Sequence, residues 1–177
     1  MHWDDHLGRL FDDLEQQADG LVLRERDAEV AEQRRAEYAQ VDLAARLHAS
    51  VGSRLVVGVT GAGVLDGVLG RVGSDWCLLR SESGEWLLRL SAVGSLRGLA
   101  DRGAVAGARP VAAGLGFASA LRSVAEARRD VLLHRLDGSV MLGSVNRVGA
   151  DFVEVRVADA GHLETVPFGA VAAVRRG

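Results

Sequence analysis

The sequence predicts an α+β fold in which N-terminal helices precede two tandem five-stranded β-barrels joined by a linker helix. Three observations predict it: apolar residues at helical spacing in the first fifty positions, two-residue alternation with frequent glycine thereafter, and an internal repeat. The expected segments are an acidic helical region, a first small barrel, a linker with a bridging helix, and a second small barrel, over residues 1–50, 51–99, 100–130 and 131–177.

The N-terminal region carries an amphipathic pattern. Apolar residues separated by three or four positions predict a first helix from Trp3 to about Gly20, and a charged stretch from Arg24 to about Gly52 predicts a longer second helix. Such helices would cover the chain's own barrels or mediate dimerisation, and the pattern leaves both open. The candidate interaction face of the first helix consists of Leu7, Leu10, Phe11 and Leu14.

An internal repeat organises the rest of the chain. The segment 67–80 aligns without gaps on 143–156, with six identities in fourteen positions, which chance explains poorly. The repeated turns Val-Gly-Ser-Asp and Val-Gly-Ala-Asp provide a glycine and an aspartate that can hydrogen-bond backbone amides. We therefore expect the two segments to form equivalent strands, with Trp76 and Phe152 pointing into their respective cores.

Ten short strands follow from the alternation. The first copy is expected to have strands at 54–60, 65–72, 75–80, 85–90 and 93–96, and the second at 131–136, 140–148, 151–157, 162–166 and 171–174. Five short antiparallel strands in about fifty residues are typical of a small barrel of the SH3 or Sm type. A barrel of this size buries little apolar surface, so we expect the copies to pack on each other or on the helices.

Between the copies, residues 98–110 form a linker rich in Gly, Ala and Arg. Residues 115–129 then repeat apolar side chains at helical spacing and end with Arg128 and Arg129, which complement a helix dipole. This pattern predicts a helix that leads into the second barrel and bridges the two copies.

Composition limits the classes of function. The 177 residues are 48% hydrophobic, yet charged residues or glycine interrupt every apolar stretch before the length of a membrane span, so a soluble cytoplasmic protein is expected. Cys77, the one cysteine, lies in an apolar run typical of a buried side chain. Residues 1–48 carry net charge −6, and residues 49–177 carry net charge +3. A charge of +3 is too small for the basic stripe that a dedicated nucleic-acid-binding protein needs.

Several of these segments carry a resemblance to a known family. Four segments are involved: Trp3-Asp4, the run from Leu10 to Glu15, residues 72–76 and the run from Ala118 to Arg122. They resemble a family of uncharacterised actinobacterial proteins, sometimes labelled Fis-family transcriptional regulators. The resemblance spans essentially the whole chain. A Fis-like recognition helix would be basic and C-terminal, whereas this sequence ends in a predicted strand.

At the level of the fold, each copy also resembles the Sm family. In that family a Gly-rich second strand precedes an Asp that begins strand three, as Asp75 and Asp151 would here. An Asn four residues after this Asp helps to hold an RNA base, but Leu79 and Val155 occupy those positions. The resemblance therefore implies the small barrel and not its RNA ligand.

No catalytic, cofactor-binding or metal-ligating set assembles from the motifs. The candidate binding surface is instead a set of repeated arginines, which would be presented twice and could grip phosphates. Alternatively, each arginine pairs with the neighbouring repeat Asp and solubilises a strand edge. These residues are Arg71, Arg80, Arg147 and Arg156.

The leading hypothesis from the sequence is a non-enzymatic protein-interaction or adaptor module. Its partner would be an unknown protein, a second copy of the chain, or both, without a membrane and without a cofactor. The alternative is a nucleic-acid-associated regulator that binds RNA weakly through the arginines of the barrel faces.

Overall fold

The computed structural model describes residues 30–33, 35, 36, 38–101 and 114–176. The chain divides into two compact units, Met1–Val41 and Asp42–Gly177. In the first unit, residues 30–33, 35, 36, 38 and 39 are helical. The first predicted helix, with its candidate face at Leu7, Leu10, Phe11 and Leu14, lies outside the described residues.

The prediction of one long helix up to about Gly52 is wrong. The second unit begins at Asp42, whose extended backbone precedes a separate short helix, α1, at Leu43–Ala49. The Asp42 carboxylate accepts a hydrogen bond from the Ala45 amide at 2.6 Å, so it satisfies one of the amides that a helix start leaves unpaired. Asp42 therefore begins a new helix where the apolar spacing alone suggested continuity.

Ten strands and one longer helix make up the rest of the described chain. In the first repeat, five strands are followed by a helix, α2, at Phe117–Glu126. These strands are β1 Arg54–Val59, β2 Gly63–Val72, β3 Trp76–Ser81, β4 Gly84–Arg89 and β5 Val93–Arg97. The second repeat consists of β6 Asp130–Arg135, β7 Val140–Val148, β8 Phe152–Val157, β9 Leu163–Pro167 and β10 Val171–Arg176. Short 3-10 turns at Leu90–Ala92 and Phe168–Ala170 precede β5 and β10.

The prediction of two separate five-stranded barrels is wrong. The strands form one continuous antiparallel sheet in the order β5-β1-β2-β3-β4-β10-β6-β7-β8-β9. The junction is the pairing of β4 with β10, where Leu88 lies opposite Ala173 and Leu87 opposite Val174. We call this β4–β10 pairing the seam.

The two strands of the seam are buried on both faces of the sheet. Residues 86–88 and 171–174 are all buried, whereas a sheet with one solvated face would alternate buried and exposed positions. Ala172 and Ala173 are fully buried and belong to the cluster formed by the first repeat, together with Leu47 of α1. Leu87 and Val174 belong to a second cluster on the opposite face, with Phe117 and Leu121 of α2. The middle of the sheet therefore separates two cores.

The internal repeat is confirmed at the level of strand register. The pairing of β2 with β3 shifts register between Leu69 and Arg71, and the pairing of β7 with β8 shifts between Val145 and Arg147, at the matching position. In both repeats the turn closes in the same way. The Gly73 amide donates to the Trp76 carbonyl at 2.8 Å, and the Gly149 amide donates to the Phe152 carbonyl at 2.9 Å. The segments 67–80 and 143–156 are structurally equivalent.

The prediction that Trp76 and Phe152 point into their respective cores is wrong in detail. Trp76 is buried, but it packs in the cluster that α2 and the second repeat share. Phe152 is only half-buried and belongs to neither buried cluster, although its ring lies against Gly149 as Trp76 lies against Gly73. The difference arises because α2 covers the first of these rings, so equivalent backbone positions have unequal burial.

Candidate functional site: an arginine-rimmed groove

The first repeat turn fixes the start of α2. The Asp75 carboxylate accepts the Phe117 amide at 2.7 Å, and the Trp76 indole N–H donates to the Leu115 carbonyl at 2.8 Å. The Asp75 carboxylate was expected to bond amides of its own turn, but it caps a distant helix instead. The N-cap residue of that helix is Gly116, which has no side chain to form the cap. These two bonds connect the helix to the end of the sheet from which β3 begins.

A second anchor crosses the seam. The Arg89 guanidinium donates to the Phe168 carbonyl and lies 5.5 Å from the centre of the Phe117 ring. The Phe117 ring in turn meets the Phe168 ring edge-on, with centroids 5.5 Å apart. An arginine of the first repeat, the helix and a turn of the second repeat are therefore held together at one point.

We expect Asp75→Ala to lower the free energy of unfolding by about 0.5–2 kcal/mol, the usual cost of removing a side chain that caps a helix. Urea denaturation of both proteins measures the change. Asp151→Ala is the matched control, because the equivalent carboxylate of the second repeat makes no hydrogen bond with any described residue. Equal losses for the two variants would contradict the assignment of Asp75 as the anchor of α2.

A groove lies between α2 and the sheet, with a volume of about 420 Å³. Its floor is apolar, and Leu78, Ala120 and Val124 on this floor are only half-buried. Leu115 also lines the groove and is 48% exposed. The large apolar residues of the floor are Trp76, Leu78, Leu87, Val124, Val131 and Val174. Leu78, Ala120 and Val124, with Leu115, therefore leave part of this apolar lining open to water, and the other large floor residues are buried beneath them.

The rim of this groove is basic. Its described residues include four arginines and one glutamate, Glu85, which is bonded to Arg80 at 3.3 Å and lies 3.7 Å from Arg176. No carboxylate of the described residues pairs with the other two arginines. The four rim arginines are Arg71, Arg80, Arg129 and Arg176. The rim thus carries a net positive charge beside an apolar floor.

The repeated arginines predicted from the sequence do not form two equal surfaces. Arg71 and Arg80 lie on the groove rim. In the second repeat the Arg147 guanidinium donates to the Glu154 carboxylate twice, through Nε at 2.8 Å and through Nη2 at 3.4 Å. Arg156 donates to the Gly161 carbonyl at 3.1 Å. Within the described residues the expected pairing with the repeat aspartates is absent: Arg80 and Arg147 pair with Glu85 and Glu154, and Arg71 and Arg156 have no ionic partner.

Sequence reasoning missed half of the rim. Arg129 was assigned to the helix dipole, but it follows the end of α2 and is exposed beside the groove. Arg176 ends β10 and reaches the groove only because β10 pairs with β4. The sequence does contain one indication of the groove. In the repeat alignment the apolar Leu78 is matched by the charged Glu154 of the second copy.

Two other reactive side chains, Cys77 and His134, do not border the groove. No group of three or more His, Cys, Asp or Glu in the described residues could hold a metal ion. Cys77 is 1% exposed, and burial raises the pKa of its thiol to about 12. The pKa of His134 is lowered, first by partial burial and then by the nearby charge of Arg175. The His134 ring packs 4.9 Å from the ring of Trp86.

We expect Cys77 to resist alkylation by iodoacetamide at about pH 8 in the folded protein. With a thiol pKa of about 12, only about one molecule in ten thousand carries the reactive thiolate at that pH, and the side chain is covered. Mass spectrometry after timed labelling measures the modification. The control is the same protein unfolded in guanidinium chloride, which should react readily; rapid labelling of the folded protein would contradict the burial of Cys77.

Comparison with known proteins adds no relative. No protein-family model matches the chain, and no curated protein matches it significantly. The resemblance to actinobacterial proteins stays a prediction for that reason. In the described part of the chain, no helix combines the length and the apolar content needed to cross a membrane. Function must therefore be inferred from the groove itself.

Proposed function

We propose that the protein is a non-enzymatic interaction module that docks an acidic partner protein in the groove between α2 and the sheet. The observation that carries this proposal is the combination of a partly exposed apolar floor with a basic rim. Protein interfaces commonly combine a desolvated apolar centre with a polar border, and arginine is enriched in them. The charge of the rim favours a partner of opposite charge.

The framework around the groove supports this role. The floor comes from β3, β4, β6, β10 and α2. These elements are packed on buried side chains, and Asp75, Trp76 and Arg89 tie them together. A binding surface on such elements needs little ordering when the partner arrives, which lowers the entropic cost of association.

The nucleic-acid alternative has less support. Leu79 and Val155, which stand where Sm proteins have an RNA-binding Asn, are completely buried and cannot reach a base. The groove floor is mainly aliphatic, and the indole N–H of Trp76 is already bonded to Leu115. Proteins that bind single-stranded RNA usually offer exposed aromatic rings for base stacking.

A blocking substitution tests the proposed function. Ser123 lies on α2, is exposed and borders the groove, so Ser123→Trp should fill the groove without disturbing the core. Glu126→Trp is the matched control, because Glu126 is exposed on the same helix and does not border the groove. Both full-length variants and the native protein would be immobilised and exposed to extract of the source cell, in parallel with and without nuclease treatment.

The proposal expects the native protein and Glu126→Trp to capture the same protein partner, and Ser123→Trp to lose it. Far-ultraviolet circular dichroism of each variant confirms that the fold is intact. A partner that all three proteins retain would contradict docking in the groove. Capture that disappears with nuclease treatment would favour the nucleic-acid alternative instead.

A further inference from the structure

The two repeats differ at one pair of facing residues. Arg71 on β2 lies opposite Leu78 on β3, and at the equivalent place Arg147 on β7 lies opposite Glu154 on β8. In the second repeat both carboxylate oxygens of Glu154 engage the guanidinium, and its side chain is only 18% exposed. The same backbone position therefore holds a closed ion pair in one repeat and an arginine beside a leucine in the other.

The surroundings of Arg71 leave its charge uncompensated among the described residues. Glu85, the one carboxylate among the described rim residues, is engaged by Arg80 and Arg176. Leu78 is half-buried on the groove floor, directly beside the exposed Arg71. A planar guanidinium next to an apolar surface matches a ligand that carries a carboxylate and an apolar group side by side.

We propose that Arg71 binds an acidic side chain of an amphipathic partner segment in the two-pronged geometry that Arg147 and Glu154 display. An apolar side chain of the same segment packs on Leu78, so the partner supplies the carboxylate that this repeat lacks. This inference rests on the proposed function and names its partner chemistry: a peptide segment with glutamate or aspartate beside large aliphatic residues. Helical peptides bind grooves in this manner through residues spaced three or four positions apart.

The peptide test uses a fluorescein-labelled synthetic helix of about sixteen residues, with leucine on one face at helical spacing and glutamate on both flanks. Its fluorescence anisotropy is measured against the full-length protein. Leu78→Glu should weaken binding at least about tenfold, because the new carboxylate pairs with Arg71 from within the chain, as Glu154 pairs with Arg147. Arg71→Ala should weaken binding to a similar extent.

Two controls isolate the carboxylate. Arg147→Ala should bind the peptide like the native protein, since Arg147 lies outside the groove. A peptide with every glutamate replaced by glutamine should bind at least about tenfold more weakly to the native protein. The inference is overturned if the glutamate peptide does not bind, if Leu78→Glu leaves binding unchanged, or if both peptides bind equally.

Failure of this inference is distinguishable from failure of the proposed function. If the glutamate peptide does not bind while Ser123→Trp still abolishes capture of a partner protein, the groove is a docking site for a partner of other chemistry. If single-stranded RNA binds with submicromolar affinity and displaces the peptide, both proposals give way to the nucleic-acid alternative. Measuring the RNA at two salt concentrations identifies phosphate contacts, because these weaken steeply as salt rises.

Discussion

Replacing Trp76 by alanine should lower the free energy of unfolding by about 3–5 kcal/mol, the range expected when a large buried aromatic side chain is truncated. Trp76 is 7% exposed and packs in the core that the second repeat and α2 share. The substitution also removes the indole donor from the Leu115 carbonyl. Guanidinium chloride denaturation, followed by circular dichroism, measures the change.

Phe152→Ala is the internal control for this loss. Phe152 occupies the equivalent position in the second repeat, but it is half-buried and belongs to neither core cluster. Its truncation should cost clearly less than that of Trp76, because less apolar area is removed from water in the native state. Equal losses would show that α2 does not cover Trp76 in the way described.

Gly67→Ala and Gly143→Ala should each destabilise the protein by about 1–3 kcal/mol, the cost expected of inserting a methyl group into a filled site. A Cβ atom at Gly67 would lie 2.4 Å from the carbonyl oxygen of Arg80, and one at Gly143 would lie 2.3 Å from that of Arg156. Both contacts are with the backbone of the neighbouring strand, so relief requires the strands to separate. Thermal denaturation of the two variants measures the loss.

Gly169→Ala is the matched control for these two substitutions. A Cβ atom at Gly169 meets nothing within 4 Å, and its backbone is not in the left-handed region. Its stability should stay close to that of the native protein. The repeat also predicts that the two core substitutions have similar effects, and a large loss at one position with none at the other would contradict structural equivalence.

The strands were predictable because each one is marked locally. Alternation and glycine placed all ten within two residues of their observed ends, and the ungapped repeat gave the matching register. The seam was not predictable from the same signals, since pairing between β4 and β10 depends on residues about 85 positions apart. Its only mark in the sequence is the pair of apolar runs at 86–88 and 171–174, and such runs are equally typical of strands inside a closed barrel.

The groove was predictable only in part. Arg71 and Arg80 were identified from the repeat, and both lie on the rim. Arg129 and Arg176 reach the rim through the packing of α2 and through the seam, which are tertiary features. The role of Leu78 becomes visible only when the aligned repeats are compared for their differences. Identical residues mark the structure that both repeats share, whereas a difference marks a feature of one repeat alone.

The two repeats form one sheet through the seam. Residue-resolved native-state hydrogen exchange tests it most directly, because backbone amides inside a sheet exchange only when the structure opens. If the seam exists, the amides of β4 and β10 that face each other across Leu87 and Val174 should be as strongly protected as those of β3 and β6. Rapid exchange of those amides, with β3 and β6 still protected, would show that β4 and β10 are open edges of two separate bodies.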